Sequence, residues 1–186
     1  MELVIDGWAV GARFSSCHII PGHPKCGRLH GHSYAASARF RGEVAGPGGM
    51  LIDFHDAKRA MREVCEALDH RVLIPVERED VTVLVAGDNL DIRIQHKNYS
   101  LPKEDVLLMP LPAVTAERLA EWFLDELLRR LPLPPNVRSA SVGIEEGQGQ
   151  GAWATRELGG GRASIGPVGA ARRSRAAKRG SARKVR

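Results

Sequence analysis

From His30 to Arg41 the chain alternates with a period of two. His30, His32, Tyr34, Ala36, Ala38 and Phe40 fall on one face of a strand, because successive side chains of extended backbone point to opposite sides. This stretch must therefore be built into a sheet, and its two histidines leave the backbone on the same side. Residues 2–18, with Val4, Trp8, Val10 and Phe14 among their apolar positions, read as an earlier extended segment. Between the two lie residues 19–29, whose two prolines and two glycines predict a loop. After the strand, Gly42 to Gly49 reads as a turn and Met50 to Phe54 as a short apolar strand.

Two helices are expected. Asp56 is a candidate N-cap, and Ala57, Ala60, Met61, Val64, Cys65 and Leu68 form one apolar stripe at helical spacing, which should run out near Asp69-His70. Cys65 is then a core residue. Thr115 should cap the second helix. Ala116, Leu119, Phe123, Leu127 and Leu131 give that helix a buried face, and Pro132 stops it. Between the helices, residues 81–85 and 90–95 alternate around Ala86-Gly87-Asp88-Asn89, a hairpin signal. Residues 137–146 read as a last strand, with Val142, Ile144 and Glu146 on one side.

The 186 residues are enough for one domain with a real core. The net charge of +5 suggests a basic protein, yet nine Lys or Arg and no acid follow Glu157, which leaves residues 1–158 at −4. The expected organisation is one folded domain over 1–158 and a disordered basic tail over 159–186, whose Gly, Ala, Ser, Arg and Lys cannot bury enough surface to offset ordering. No run of about 18 apolar residues is present to span a membrane. The first residues lack the pattern of a secretory signal, so a cytoplasmic location is expected.

His30-Gly31-His32 places two imidazoles where one metal ion can bind both. Antiparallel pairing of the flanking segments across loop 19–29 would bring His18 beside them. Three imidazoles and one open position make the usual layout of a catalytic zinc site. Cys26 lies in the loop between these ligands. It is an ordinary loop cysteine, a thiol activated by a nearby cation, or a fourth ligand that would close the site and make it structural. Cys17, next to His18, faces the other side of its strand. Asp69 can fix the tautomer of His70 if the two side chains meet; otherwise His70 is a histidine at a helix C-terminus. Glu146 shares the parity of the inward residues and Glu145 does not, so Glu146 is the one directed inward, where it needs a partner; otherwise it is an ordinary surface glutamate.

Together these segments resemble the 6-pyruvoyl-tetrahydropterin synthase / 6-carboxytetrahydropterin synthase family. Phe14-Ser15-Ser16-Cys17-His18 is similar to its first zinc-ligand segment. Cys26-Gly27-Arg28-Leu29-His30-Gly31-His32 resembles its catalytic cysteine followed by two zinc ligands. Gly49-Met50-Leu51-Ile52-Asp53-Phe54 resembles a family strand, Leu68-Asp69-His70-Arg71 the segment of its Asp-His pair, Thr115 to Ala120 the start of its second helix, and Val142-Gly143-Ile144-Glu145-Glu146 the strand ending in its pterin-binding Glu. Order and spacing agree across roughly residues 1–155.

The resemblance implies an α+β tunnelling fold, an antiparallel sheet with two helices on one face. It implies Zn2+ on His18, His30 and His32, catalysis by Cys26, Asp69 and His70, and pterin binding by Glu146. It also implies a homo-hexamer with active sites between subunits, acting on 7,8-dihydroneopterin triphosphate. Three residues intervene between Cys26 and His30-Gly31-His32, a spacing similar to that of the prokaryotic 6-carboxy-5,6,7,8-tetrahydropterin synthases of deazapurine (queuosine or archaeosine) synthesis. The alternatives are a 6-pyruvoyl-tetrahydropterin synthase, which eliminates triphosphate without cleaving the side chain, and a nucleic-acid-binding protein acting through the basic tail. Lys25, Arg28 and Arg71 are candidate triphosphate ligands. Two features depart from the family pattern: the longer segment 76–110, and Gly147 where the strand end usually continues with Thr or Ser.

Overall fold

A computed structural model describes residues 1–45 and 47–159; the expected tail lies outside them, apart from Gly159. The first strand, β1 (Glu2–Ile5), is followed by a single helical turn, α1 (Gly7–Val10), and by β2 (Arg13–His18). The expected continuous extended segment over 2–18 is thus interrupted. Asp6 caps the turn by accepting the Ala9 N–H at 3.1 Å, and Gly11 leaves it in the left-handed region at φ 72°. Only glycine fits at Gly7, where a Cβ would stand 2.3 Å from the Ala36 carbonyl oxygen. The turn lets β1 and β2 pair with successive stretches of the same edge of the long strand β3 (His30–Gly42).

The expected strand over Met50–Phe54 is absent. Asp53 rather than Asp56 is the N-cap of α2 (Phe54–Leu68), its carboxylate accepting the His55 N–H at 2.7 Å. Capping at Asp53 draws Phe54 into the first helical turn, and Leu51 and Ile52 bury their side chains in the helix-side core instead of pairing as a strand. The stripe from Ala57 to Leu68 is buried as its spacing predicts, Cys65 included. Thr115 caps α3 (Ala116–Arg130), and Leu119, Ala120, Phe123, Leu124 and Leu127 are buried beneath it.

The remaining strands are β4 (Arg71–Pro75), β5 (Val81–Ala86), β6 (Asn89–Ile94), β7 (Lys97–Pro102), β8 (Val106–Met109), β9 (Val137–Glu146) and β10 (Gly151–Glu157). The main sheet runs β10-β9-β3-β2-β4-β8, with β1 also paired to β3. Its β10-β9-β3-β2 portion is antiparallel, whereas β4 and β8 join in parallel. Both long helices cover one face, where Phe14, Tyr34, Ala36, Ala38, Phe40, Val142 and Ile144 meet their buried stripes in one core.

The expected hairpin over 81–95 is present, and β7 extends it into a separate three-stranded sheet, β5-β6-β7. This sheet buries Leu90, Ile92 and Ile94 against Ile19, Ile74 and Val106. Segment 76–110 therefore rests on the main sheet where β2 runs out into loop 19–29.

Candidate active site

Antiparallel pairing sets His18 directly opposite His30, and Ser16 opposite His32. The three imidazoles consequently leave one face at the end of the core layer, with ring centroids 4.4, 5.2 and 5.1 Å apart. Their potential ligand atoms all lie within 4.8 Å of one another. His18 is fully buried. Burial, and then the neighbouring His30 and His32, hold it at about 4 despite the opposing hydrogen bond to Val114, so it is neutral at ordinary pH.

The back of each ring decides what the front can do. His18 Nδ1 lies 2.6 Å from the Val114 carbonyl, and His30 Nδ1 lies 2.7 Å from the Arg28 carbonyl. A carbonyl only accepts, so both Nδ1 atoms carry hydrogen, and in the neutral rings that bind a metal both Nε2 atoms present lone pairs. Those lone pairs face each other across 3.1 Å. Two acceptors at that separation repel unless a cation lies between them. The spacing is close to the edge of about 3.4 Å that a nitrogen tetrahedron has at ordinary zinc–imidazole lengths. The residues present therefore fit a metal ion, and the converging set among the described residues is these three imidazoles, without Cys26.

Glu146 pairs in register with Tyr34, and its Oε2 lies 4.0 Å from His32 Nε2. The Tyr34 hydroxyl is buried against this carboxylate, and neither it nor the other oxygen, Oε1, makes a hydrogen bond of ordinary geometry. Burial, and then the adjacent Glu146 carboxylate, push the Tyr34 phenol well above its ordinary value, so it stays protonated. Glu145 points the other way, and Trp8 Nε1 donates to it at 2.8 Å. Of the two glutamates, only Glu146 lies beside the histidines. It also lines a cleft with His23, Thr115, Glu117 and Gln150.

Loop 19–29 is folded tightly on itself. Ile20 N–H donates to Cys26 O at 2.9 Å, and Gly27 N–H to His23 O at 2.9 Å. A side chain at Gly27 would put Cβ 2.4 Å from that His23 oxygen. The ammonium of Lys97, at the start of β7, donates to the Gly27 carbonyl and ties the small sheet to the loop. Cys26 is a half-buried free thiol.

Asp69 and His70 do meet: His70 Nδ1 lies 2.7 Å from Asp69 Oδ2. The other oxygen, Oδ1, accepts the Ser15 N–H at 2.6 Å, and His70 N–H donates to Ser15 O at 2.8 Å. Partial burial raises the Asp69 carboxyl, but the Ser15 amide and His70 outweigh it and hold the group below its ordinary value. His70 adopts φ 55°, and its side chain is 85% exposed. It opens onto surface hollows lined by Ser15, Cys17 and Ser33, and Ser16 and His32 reach one of them as well. Neither Asp69 nor His70 lines the cleft that Glu146, His23 and Thr115 share.

Four residues at or near the site escaped sequence reasoning. Tyr34 carried a usable signal, since it shares parity with His30 and His32. Trp8, His23 and Lys97 carried none, because they lie in a turn, a loop and a distant strand.

A model of the 6-pyruvoyl tetrahydropterin synthase family matches residues 9–157. A protein of Methanocaldococcus jannaschii, provisionally named 6-carboxy-5,6,7,8-tetrahydropterin synthase, is 42% identical over 154 residues, covering 82% of this chain and 94% of its own. The 6-carboxy-5,6,7,8-tetrahydropterin synthase of Aquifex aeolicus is 31% identical over 108 residues, 58% of this chain and 59% of that protein. Among solved structures, 6-pyruvoyl tetrahydropterin synthase of Plasmodium vivax superposes with a TM-score of 0.78 at 29% identity, covering 85% of this chain and 98% of that one. The shared architecture is the tunnelling fold.

Proposed function

The chain belongs to the 6-pyruvoyl tetrahydropterin synthase family, and from that membership we propose that it is a zinc-dependent 6-carboxy-5,6,7,8-tetrahydropterin synthase acting on 7,8-dihydroneopterin triphosphate. The observation that carries the reading is the facing pair of Nε2 nitrogens on His18 and His30, with the Glu146 carboxylate beside His32. The relatives' names and the three-residue gap between Cys26 and His30 support the carboxy branch.

Zinc on His18, His30 and His32 supplies Lewis acidity toward the oxygens of the substrate side chain. Glu146 accepts from the 2-amino and N3 edge of the pterin. Cys26, as thiolate, takes a proton from a carbon of that substituent on one face. His70, oriented by Asp69, exchanges protons on the other. Triphosphate leaves, and in this branch the bond between the first and second side-chain carbons then breaks with uptake of one water, so that the outer two carbons depart as acetaldehyde and the first remains as the 6-carboxyl.

Asp69 and His70 line a different hollow from the cleft of Glu146 and His23, and we place the pair at a site between subunits of a homo-hexamer, the assembly that the family resemblance implies. The product feeds deazapurine (queuosine or archaeosine) synthesis, in the cytoplasm. No helix among the described residues is long and apolar enough to cross a membrane.

Turnover of 7,8-dihydroneopterin triphosphate with and without chelator tests zinc dependence, and Cys26→Ala tests the base. The expected results are loss of turnover in both, with zinc still bound to the variant. Full activity of Cys26→Ala would remove Cys26 from the mechanism. Triphosphate release without acetaldehyde would favour the alternative, a 6-pyruvoyl-tetrahydropterin synthase.

A further inference from the structure

His23 has no place in the mechanism above, yet it organises the segment that carries Cys26. Its Nδ1 lies 2.9 Å from the Cys26 backbone nitrogen and 3.3 Å from that of Lys25. Both are N–H donors, so Nδ1 is an acceptor and the ring hydrogen sits on Nε2. The backbone of the same residue holds the loop from both sides. His23 N–H donates to Ile20 O at 3.1 Å, and His23 O accepts Gly27 N–H at 2.9 Å. Cys26 O, in turn, accepts from Ile20 N–H at 2.9 Å. Thus the imidazole closes a ring of contacts around the cysteine. It does so at the wall of the cleft that Glu146, Thr115 and Gln150 line.

These contacts hold Cys26 in one place within the loop, and a misplacement of about 1 Å can cost a reaction about 100-fold. Gly27 is matched to the same arrangement, since any side chain there would collide with the His23 carbonyl.

We propose that His23 is a positioning residue for Cys26, acting through Nδ1 as acceptor of the Cys26 backbone N–H. The inference rests on the catalytic reading of Cys26, but its structural half is measurable apart from turnover. Asparagine places an acceptor oxygen where Nδ1 stands, whereas glutamine places its amide where Nε2 stands. The test compares His23→Ala, His23→Asn and His23→Gln in the full zinc-loaded protein, by kcat and KM with 7,8-dihydroneopterin triphosphate and by amide hydrogen exchange of the loop peptide.

The expected result is a kcat at least about 10-fold lower in the Ala and Gln variants, at little-changed KM and zinc content. The Cys26 amide should exchange faster in both. His23→Asn should restore slow exchange and return kcat to within about 3-fold of the starting protein. Rescue by Gln and not Asn would overturn the proposal in favour of an Nε2 contact with substrate. Three variants indistinguishable from the starting protein, or three equally impaired, would overturn it as well. Unchanged turnover in Cys26→Ala would instead remove the catalytic reading of Cys26, while the order of exchange rates would still decide the Nδ1 contact.

Discussion

His18 and His30 face each other across β2 and β3 with their Nε2 atoms 3.1 Å apart, each ring turned by a backbone carbonyl behind it. Neither carbonyl belongs to the strand pair. Val114 precedes the cap of α3, and Arg28 ends the Cys26 loop, so the docking of a helix and of a loop sets which nitrogen each ring offers.

That arrangement predicts a metal that stabilises the fold. Chelation should lower the melting temperature of the full protein, and stoichiometric zinc should restore it, because an ion bound only by the folded state adds stability by mass action. His30→Ala should lose both the zinc and the shift. Calorimetry with metal analysis reads both; a melting temperature indifferent to chelator would contradict the centre.

The two adjacent glutamates should behave differently. Glu146→Ala should lower kcat/KM by about 10- to 100-fold, the worth of hydrogen bonds to a charged group. Glu145→Ala should cost less than about 3-fold in turnover, its loss falling on the Trp8 contact and hence on stability. Steady-state kinetics and urea unfolding of the two variants separate the effects.

Much of this was legible in the sequence, for reasons tied to particular residues. Strict alternation from His30 to Phe40 fixed which side chains share a face, and the same parity put Glu146 inward and Glu145 outward. What failed was local competition. Asp53 and Asp56 are both acceptable caps, and the choice fell on Asp53 because capping there lets Leu51 and Ile52 reach the core. The break at α1 depended on Gly7 touching Ala36, a contact that is non-local. Strands β4, β8 and β10 are short or edge elements whose signal comes from their partners rather than from their own pattern.

The cap assignment is itself testable. Asp53→Ala should destabilise the protein by about 1 kcal/mol. Asp56→Ala, which loses an exposed contact with Arg59, should cost less than about 0.5 kcal/mol. Equal losses in chemical unfolding would reject Asp53 as the cap.

Lys97 ties the small sheet to the Gly27 carbonyl. Lys97→Met should raise amide exchange in residues 22–28 several-fold without releasing zinc, since a charge-assisted hydrogen bond to the loop is lost while the three histidines keep their supports. Exchange confined to β7 would show that the sheet does not hold the loop.

Asp69 gives a pH signature. Its carboxyl is held below the ordinary value in the folded state, so the unfolded chain takes up the proton first. The stabilisation is complete above the ordinary carboxylate range, near about 4, and is lost as pH falls through the lower folded value. The Ser15 amide resonance, which reports the bond to Asp69, should stay unshifted through that ordinary range and titrate only below it. In Asp69→Asn this titration should vanish.

The central claim is tested most directly by incubating the zinc-loaded protein with 7,8-dihydroneopterin triphosphate and identifying every product. The account predicts triphosphate, acetaldehyde and 6-carboxy-5,6,7,8-tetrahydropterin in equal amounts, all abolished by chelator and restored by zinc. Substrate recovered intact from fully metal-loaded protein, or the same products formed at full rate after the metal is stripped, would contradict it.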